Sequence, residues 1–566
     1  MPSKSDPLRP RITLPQGTVI GVQQHGEYPN PIDAFLGIPY AQPPTGALRF
    51  RPPRKVEPSS QVIDASAFGP RAPAKLFVAI GPVLEESEDC LTANVFRQAG
   101  GRGQCGGGLP VAIYMHGGAF ARGNAAMHDT GSMVGWSAAP FVAVSFGYRI
   151  GALGFLPSTL SAKEGALNLG LKDQVLLMEW VQENIQNFGG DRENVTLIGL
   201  SAGAHSVSLS GGDLPYSEAL LTDHVVQIGH HLLNYEEGKK PLFHRVVMES
   251  GAPTSRAVRH YNAEIHEEQF RAFLQAVECP VDTPEAEIFP YLRSLPVEVV
   301  AAAQTKVFYA YNPSLRWAFQ PVIDGEIIRR RPIDAWREGK WHKLPIMTGF
   351  NGNEGSLYVN KKMDSSAEFT DFWKTLLPQL TEADVATIND LYLDPELHRD
   401  SIYKEDRLEH GVGRMYKRIE AAYAQYAYVA PVRQTAHFAG AEVPVYLYHW
   451  ALTKSVVNGA AHAENMLYEV RDAGICARSP AQGELSRLLH SYVTSFICTG
   501  DPNGKESGCG VIWEQHRGDR PKKMIFGRDN KELIGGGVGE PAEVIDDVWT
   551  KEESEFWWEK VEISQQ

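Results

Sequence analysis

Short apolar runs of strand length recur along the chain, separated by turns and by stretches with helical spacing. Pro110 to Met115, Phe141 to Phe146, Val195 to Ile198, Arg245 to Met248 and Pro345 to Gly349 are runs of this kind. Their length and composition predict buried strands. Val175, Met178, Val181 and Ile185 recur at helical spacing, which predicts a helix over Asp173 to Asn187 that Gly189-Gly190 ends. Strands alternating with helices predict an α/β sheet with parallel strands. From Val19 to about Phe50 short β-like runs alternate with Pro and Gly turns. Residues 97–108 are glycine-rich and predict a surface loop, and the acidic, aromatic tail from Trp549 predicts a terminal helix. No internal repeat and no sharp linker divides the chain, so a single domain is expected over residues 1–566.

Asn194 to Ala204 reads NVTLIGLSAGA. The run Val195 to Ile198 enters Gly199-Leu200-Ser201-Ala202-Gly203, a G-x-S-x-G pentapeptide, and a helix-compatible stretch follows. Strand, sharp turn and helix with serine at the turn make a nucleophile elbow. Glycines at 199 and 203 suit it because the turn is cramped. The pentapeptide alone is a weak signal in a chain holding 53 glycines.

A serine hydroxyl needs a base, a carboxylate to orient that base, and donors for the oxyanion. Tyr114-Met115-His116-Gly117-Gly118-Ala119-Phe120 follows a predicted strand, where an HGG-type loop turns backbone N–H groups toward a carbonyl oxygen. Glu354 stands just past the Pro345 to Gly349 strand. The histidine remains open on these grounds among His398, His410, His437, His449, His462, His490 and His516. His462 lies in a loop of small residues, Asn458 to Glu464, which permits close approach.

Composition narrows the classes. The chain is 43% hydrophobic and 22% charged, ordinary globular material with enough apolar residues for a large core. A formal charge of −14 without a Lys/Arg cluster argues against a nucleic-acid partner. No apolar run is long enough to span a membrane. The six cysteines form no C-x-x-C or Cys/His cluster, so neither a metal nor another cofactor is expected. The N-terminus has no apolar leader, which leads to the expectation of a cytoplasmic protein.

The chain resembles the type-B carboxylesterase/cholinesterase family over nearly its full length. The resemblance rests on Ala34 to Ala41 with Pro43-Pro44 and Leu48-Arg49-Phe50, on Ser87 to Leu91 with Asn94-Val95, and on Tyr148-Arg149 with Gly151 to Phe155. Asn168 to Asp191 and Gly500 to Asn503 extend it. It implies an α/β-hydrolase fold, a large, mostly parallel twisted sheet flanked by helices, with helical insertions forming a cap around an active-site gorge. It implies Ser201 as nucleophile, Glu354 as orienting acid and His462 as base. Oxyanion donors would be the N–H groups of Gly118, Ala119 and Ala202. Ser250, in Met248-Glu249-Ser250-Gly251, is implied to support the acid, and Phe120, Trp317 and Phe319 are candidates for the gorge or for ordinary core packing. The implied function is hydrolysis of an uncharged carboxylic ester through an acyl-enzyme, with a small-molecule substrate. Alternatives are a lactonase or transacylase on the same triad, or a non-catalytic interaction protein. Oligomeric state is not readable.

Three departures from the family pattern stand out. The cysteines matching two family disulfides lack partners: Ala72 stands opposite Cys90, and Tyr291 opposite Cys279. Losing the bridges removes about 2–4 kcal/mol each and strengthens the cytosolic expectation. Leu200 replaces the glutamate that precedes the cholinesterase nucleophile, and no Trp occurs before Trp136, which disfavours a choline head. Finally, Val207 to Gln227 interrupts the helix expected after Ser201, with Gly211-Gly212 and Pro215 as breakers. Removing it restores helical periodicity from Ser206 to Ile228. The segment is either a translated intron or a genuine inserted loop.

Overall fold

The strands run in chain order β1 (Val22–Gln24), β2 (Ile32–Pro39), β3 (Thr92–Gln98), β4 (Leu109–Met115), β5 (Val142–Phe146), β6 (Gly190–Leu200), β7 (Arg245–Glu249), β8 (Ile346–Asn351), β9 (Val445–Trp450), β10 (Lys522–Arg528) and β11 (Glu540–Asp546). They form one 11-stranded sheet in the order β11-β10-β9-β8-β7-β6-β4-β5-β3-β2-β1. Neighbours from β10 through β5 are parallel. The flanking pairs are antiparallel. A separate 3-stranded sheet joins Arg11–Leu14, Gly17–Ile20 and Val62–Asp64. The structure is a computed structural model and describes residues 9–26, 28–74, 81–101, 107–200, 226–255, 258–504 and 510–564. The tip of the glycine-rich loop, residues 102–106, lies outside them.

Central strands carry buried apolar runs because both faces are covered, as over Val195 to Leu200 of β6. Val195 and Leu197 of β6 enter one core with Val246 of β7, while Ile198 and Val247 enter the core on the opposite face. The helices that matter to the site are α1 (Leu169–Asn184), α2 (Val226–Leu233), α3 (Tyr416–Ala424), α4 (Asn465–Glu469) and α5 (Pro480–Thr499). Leu177 and Val181 of α1 complete the first core, and Leu489, Val493 and Phe496 of α5 complete the second. Helix α1 passes into a short 3₁₀ turn over Ile185–Phe188, which Gly189 ends with φ +86°. A third core joins Phe120, Phe155, Trp317, Phe319 and Tyr358 to helices inserted between strands.

Two family-pattern segments are buried ion pairs. Arg149 forks onto Asp173 of α1 at 2.9 and 2.6 Å, and Arg49 forks onto Glu88 at 2.6 Å through each nitrogen. Their geometry ties loops to the sheet, where removal of one partner would strand a buried charge.

Val207 to residue 225 lies outside the described residues. Helix α2, which leads into β7, is described from Val226. Ile228 and Leu232 are fully buried, and Gln227 donates to the Tyr148 hydroxyl at 2.9 Å. The chain end is helical over Lys551–Glu559 and Val561–Ser564.

Candidate active site

Register aligns the carboxyl ends of the central strands. Met115 pairs with Gly199, Leu200 with Glu249, Glu249 with Gly349, and Asn351 with Trp450. The loops leaving β4, β6, β7, β8 and β9 therefore meet along one rim, where open α/β sheets bind ligands. Ser201 and Ala202 follow β6 directly and lie outside the described residues.

The acid loop folds back on β8. The Asn351 N–H donates to Glu354 Oε1 at 2.6 Å, and the other carboxylate oxygen, Oε2, contacts Nδ1 of His462. Glu354 and His462 are both fully buried. A carboxylate held this way fixes the ring's orientation. The rings of Tyr358 and Tyr428 pack on the imidazole at centroid distances of 5.4 and 4.8 Å.

The acid loop and the histidine loop are stitched together. Asn353 N donates to Ala460 O at 2.9 Å, Ala460 N donates to Asn353 Oδ1 at 3.0 Å, and Asn351 Nδ2 donates to Ala461 O at 2.6 Å. Glycine is required at 459, where φ is +63° and a Cβ would stand 2.1 Å from Asn353 Oδ1. None of Asn351, Asn353, Tyr358 and Tyr428 was singled out from the sequence. The run Asn351-Gly352-Asn353 beside the acid was the available signal, since asparagine and glycine favour tight turns.

The loop after β4 carries positive φ at three successive residues, Gly118 (+129°), Ala119 (+56°) and Phe120 (+58°). Such backbone is costly for non-glycine residues and persists where surroundings impose it. Gln320 Nε2 donates to Ala119 O at 3.1 Å, and Gly151 N donates to Phe120 O at 2.5 Å. The carbonyls are thus pinned outward, and among the described residues nothing accepts from the N–H of Gly118 or Ala119. His116, stacked on Tyr148 at 4.2 Å, anchors the loop start; burial pushes its imidazole down to about 4, so it stays neutral.

Ser250 caps β7 with φ +55°. Its N–H donates to Gly349 O at 2.7 Å, while its buried hydroxyl has no hydrogen-bond partner among the described residues. It therefore touches β8 through its backbone and makes no side-chain bond to Glu354. Phe120, Trp317 and Phe319 are buried in the third core; Trp317 packs on Tyr358 at 6.3 Å, and Tyr358 packs on His462.

Beside the site lies a carboxyl pair absent from the sequence reading. Glu249, the last residue of β7, accepts from Tyr448 Oη at 2.9 Å and Asn465 Nδ2 at 2.8 Å, and faces Glu469 at the end of α4. Burial pushes Glu249 up to about 7, and burial with the neighbouring Glu249 raises Glu469 well above its ordinary range.

Strand order, the strained loop after β4 and the buried histidine–carboxylate pair at the sheet rim are those of an α/β-hydrolase. The model of the carboxylesterase family matches residues 9–536, and the chain belongs to that family. It is a carboxylic ester hydrolase. It is 32% identical over 496 residues to "Secreted lipase 4" of Gibberella zeae, covering 87% of this chain and 84% of that one. It is 26% identical over 494 residues to "Pyrethroid hydrolase Ces2a" of Mus musculus, covering 84% and 80%. The crystal structure of Aspergillus niger EstA superposes with a TM-score of 0.80 at 24% identity, over 99% of this chain and all of that one, which shows the fold.

The cytoplasmic expectation is overturned by the relative named as secreted. Its cysteine argument fails physically for Cys90, whereas Cys279 is partly exposed. Cys90 is fully buried and its thiol is pushed far up by that burial, so the orphan is shielded from oxidation rather than exposed to it. Where a bridge from Cys279 is missing, Tyr291 Oη donates to Val277 O at 2.9 Å instead.

Proposed function

We propose that Ser201 is the nucleophile of a triad with His462 and Glu354, and that the substrate is an uncharged, partly apolar carboxylic ester. Ser201 Oγ attacks the carbonyl carbon while His462 Nε2 takes its proton. The tetrahedral oxyanion accepts from the N–H groups of Gly118, Ala119 and Ala202. His462 returns the proton to the departing alcohol, and water then repeats the sequence on the acyl-enzyme. The buried contact between His462 and Glu354 is the observation that carries this reading, because it supplies an oriented base at the rim where Ser201 leaves β6.

Leu200 before the serine and the aromatic residues Phe120, Trp317 and Phe319 support an uncharged substrate. So do the names of the relatives, a lipase and a pyrethroid hydrolase. The secreted relative supports a site of action outside the cell, read by ester turnover in culture fluid against washed cells. Ser250 acts on the acid through β8. Val207 to Gln227 is an insertion into the helix behind the nucleophile, and the transcript distinguishes an intron from a true loop. Ser201→Ala tests the assignment: turnover of a p-nitrophenyl ester should vanish with the fold retained, and undiminished turnover would place the nucleophile elsewhere.

A further inference from the structure

The residues on either side of Glu354 are gripped by one helix. Glu420 of α3, 3% exposed, accepts from Asn353 Nδ2 at 3.2 Å, and the N–H of Gly355 also donates toward its carboxyl. Tyr416, one turn earlier on α3, donates its hydroxyl to Ser356 O at 3.1 Å. The helix comes close enough to require glycine, since a Cβ on residue 355 would stand 2.1 Å from Glu420 O.

The grip reaches the histidine loop through Asn353. Glu420 takes the Nδ2 end of that amide, and the Oδ1 end accepts the Ala460 N–H at 3.0 Å. A carboxylate only accepts, so it fixes which end of the amide faces the histidine loop. The chain continues from α3 through a π-helical turn over Gln425–Val429, whose Tyr428 packs on the His462 ring at 4.8 Å. Burial pushes Glu420 up to about 7, against the pull of the Asn353 bond and the Arg407 charge, and Glu354 adds like-charge repulsion. Arg407 grips Glu405 at 2.7 and 2.8 Å, so the hydrogen bonds that hold this costly carboxyl come from the acid loop.

We propose that Glu420 is a positioning residue for ester hydrolysis: it fixes Asn353 and Gly355, and through them the place of Glu354 against His462. Its action runs through Glu354, so the proposal rests on the triad reading.

Steady-state kinetics on a p-nitrophenyl ester test this. Glu420→Leu removes the acceptor and should lower kcat about tenfold or more with KM little changed, because the displacement is felt at the base and not at the substrate. Glu420→Gln keeps an oxygen for Asn353 and should recover most of that loss. In a Glu354→Gln background, Glu420→Leu should bring almost no further fall, as residues that act as one unit are not additive. If Glu420→Leu fails to fold, Glu420→Asp, which withdraws the carboxylate by one methylene, should show a fall in kcat with the same non-additivity. A kcat for Glu420→Leu within about twofold of wild type, a loss that multiplies in full with that of Glu354→Gln, or no recovery in Glu420→Gln would each overturn the proposal. Wild-type kcat in Glu354→Gln alone would overturn the triad reading, and this proposal with it.

Discussion

Glu354 and His462 touch across 108 residues of chain, and the contact is built by their loops rather than by the two side chains alone. Asn353 and Asn351 hold the histidine loop by three hydrogen bonds before the carboxylate reaches the ring. Glu354 is thus placed by backbone geometry as well as by its contact with the ring.

Glu354→Gln should leave the fold intact and lower kcat by roughly 10³–10⁴-fold, as amide replacement of an orienting carboxylate stabilises the wrong imidazole tautomer. Steady-state kinetics on a p-nitrophenyl ester read this; a loss under tenfold would show that Glu354 does not orient the base.

Gly118→Ala introduces a Cβ 2.1 Å from Arg122 O at a residue with φ +129°. The loop must shift, so the two amides leave their positions. The expected result is a fall in kcat of about 10²–10³-fold with KM little changed. Wild-type kcat in this variant would remove Gly118 from the oxyanion site.

The pair Glu249 and Glu469 sets a pH trend with a definite sign. Burial raises Glu249 from 4.5 to about 7. The folded protein therefore holds protons that the unfolded chain releases between those values. This contribution is fully present below about 4.5 and is lost as pH rises toward 7. Buried histidines such as His116 titrate in the opposite sense, so the test is a difference. The thermal midpoint of Glu249→Gln minus that of wild type should increase from pH 4.5 to pH 7.5. A flat difference would contradict the shift.

Deleting Val207 to Gln227 would join Ser206 to Ile228 and, on the proposed reading, restore helical spacing across the join. The shortened chain should be soluble and at least as active as the full one toward p-nitrophenyl esters. Failure to fold would show that the segment belongs to the native structure, consistent with the buried Gln227 side chain.

Much of this architecture could be read from the chain. The runs that became β4 to β8 are apolar and bounded by turns, and each appears within a few residues of its expected place. The last three strands left weaker marks. Strand β9, VYLYHW, is all buried but has no alternation, and β10 begins Lys522-Lys523, which reads as surface. Lys523 is in fact fully buried, paired with Asp547 at 3.0 Å, a partner invisible in a linear pattern. The residues alone left the histidine open for the same reason, and only the family resemblance implied His462. What separates His462 from the other candidates is its contact with Glu354, which exists only once β8 and β9 are neighbours.

The most direct test of the central claim is covalent labelling with a fluorophosphonate, followed by mass spectrometry of the digested protein. The label is expected on Ser201, at a rate that falls steeply in His462→Ala. A label on another residue, or full ester turnover with no label on Ser201, would contradict the triad.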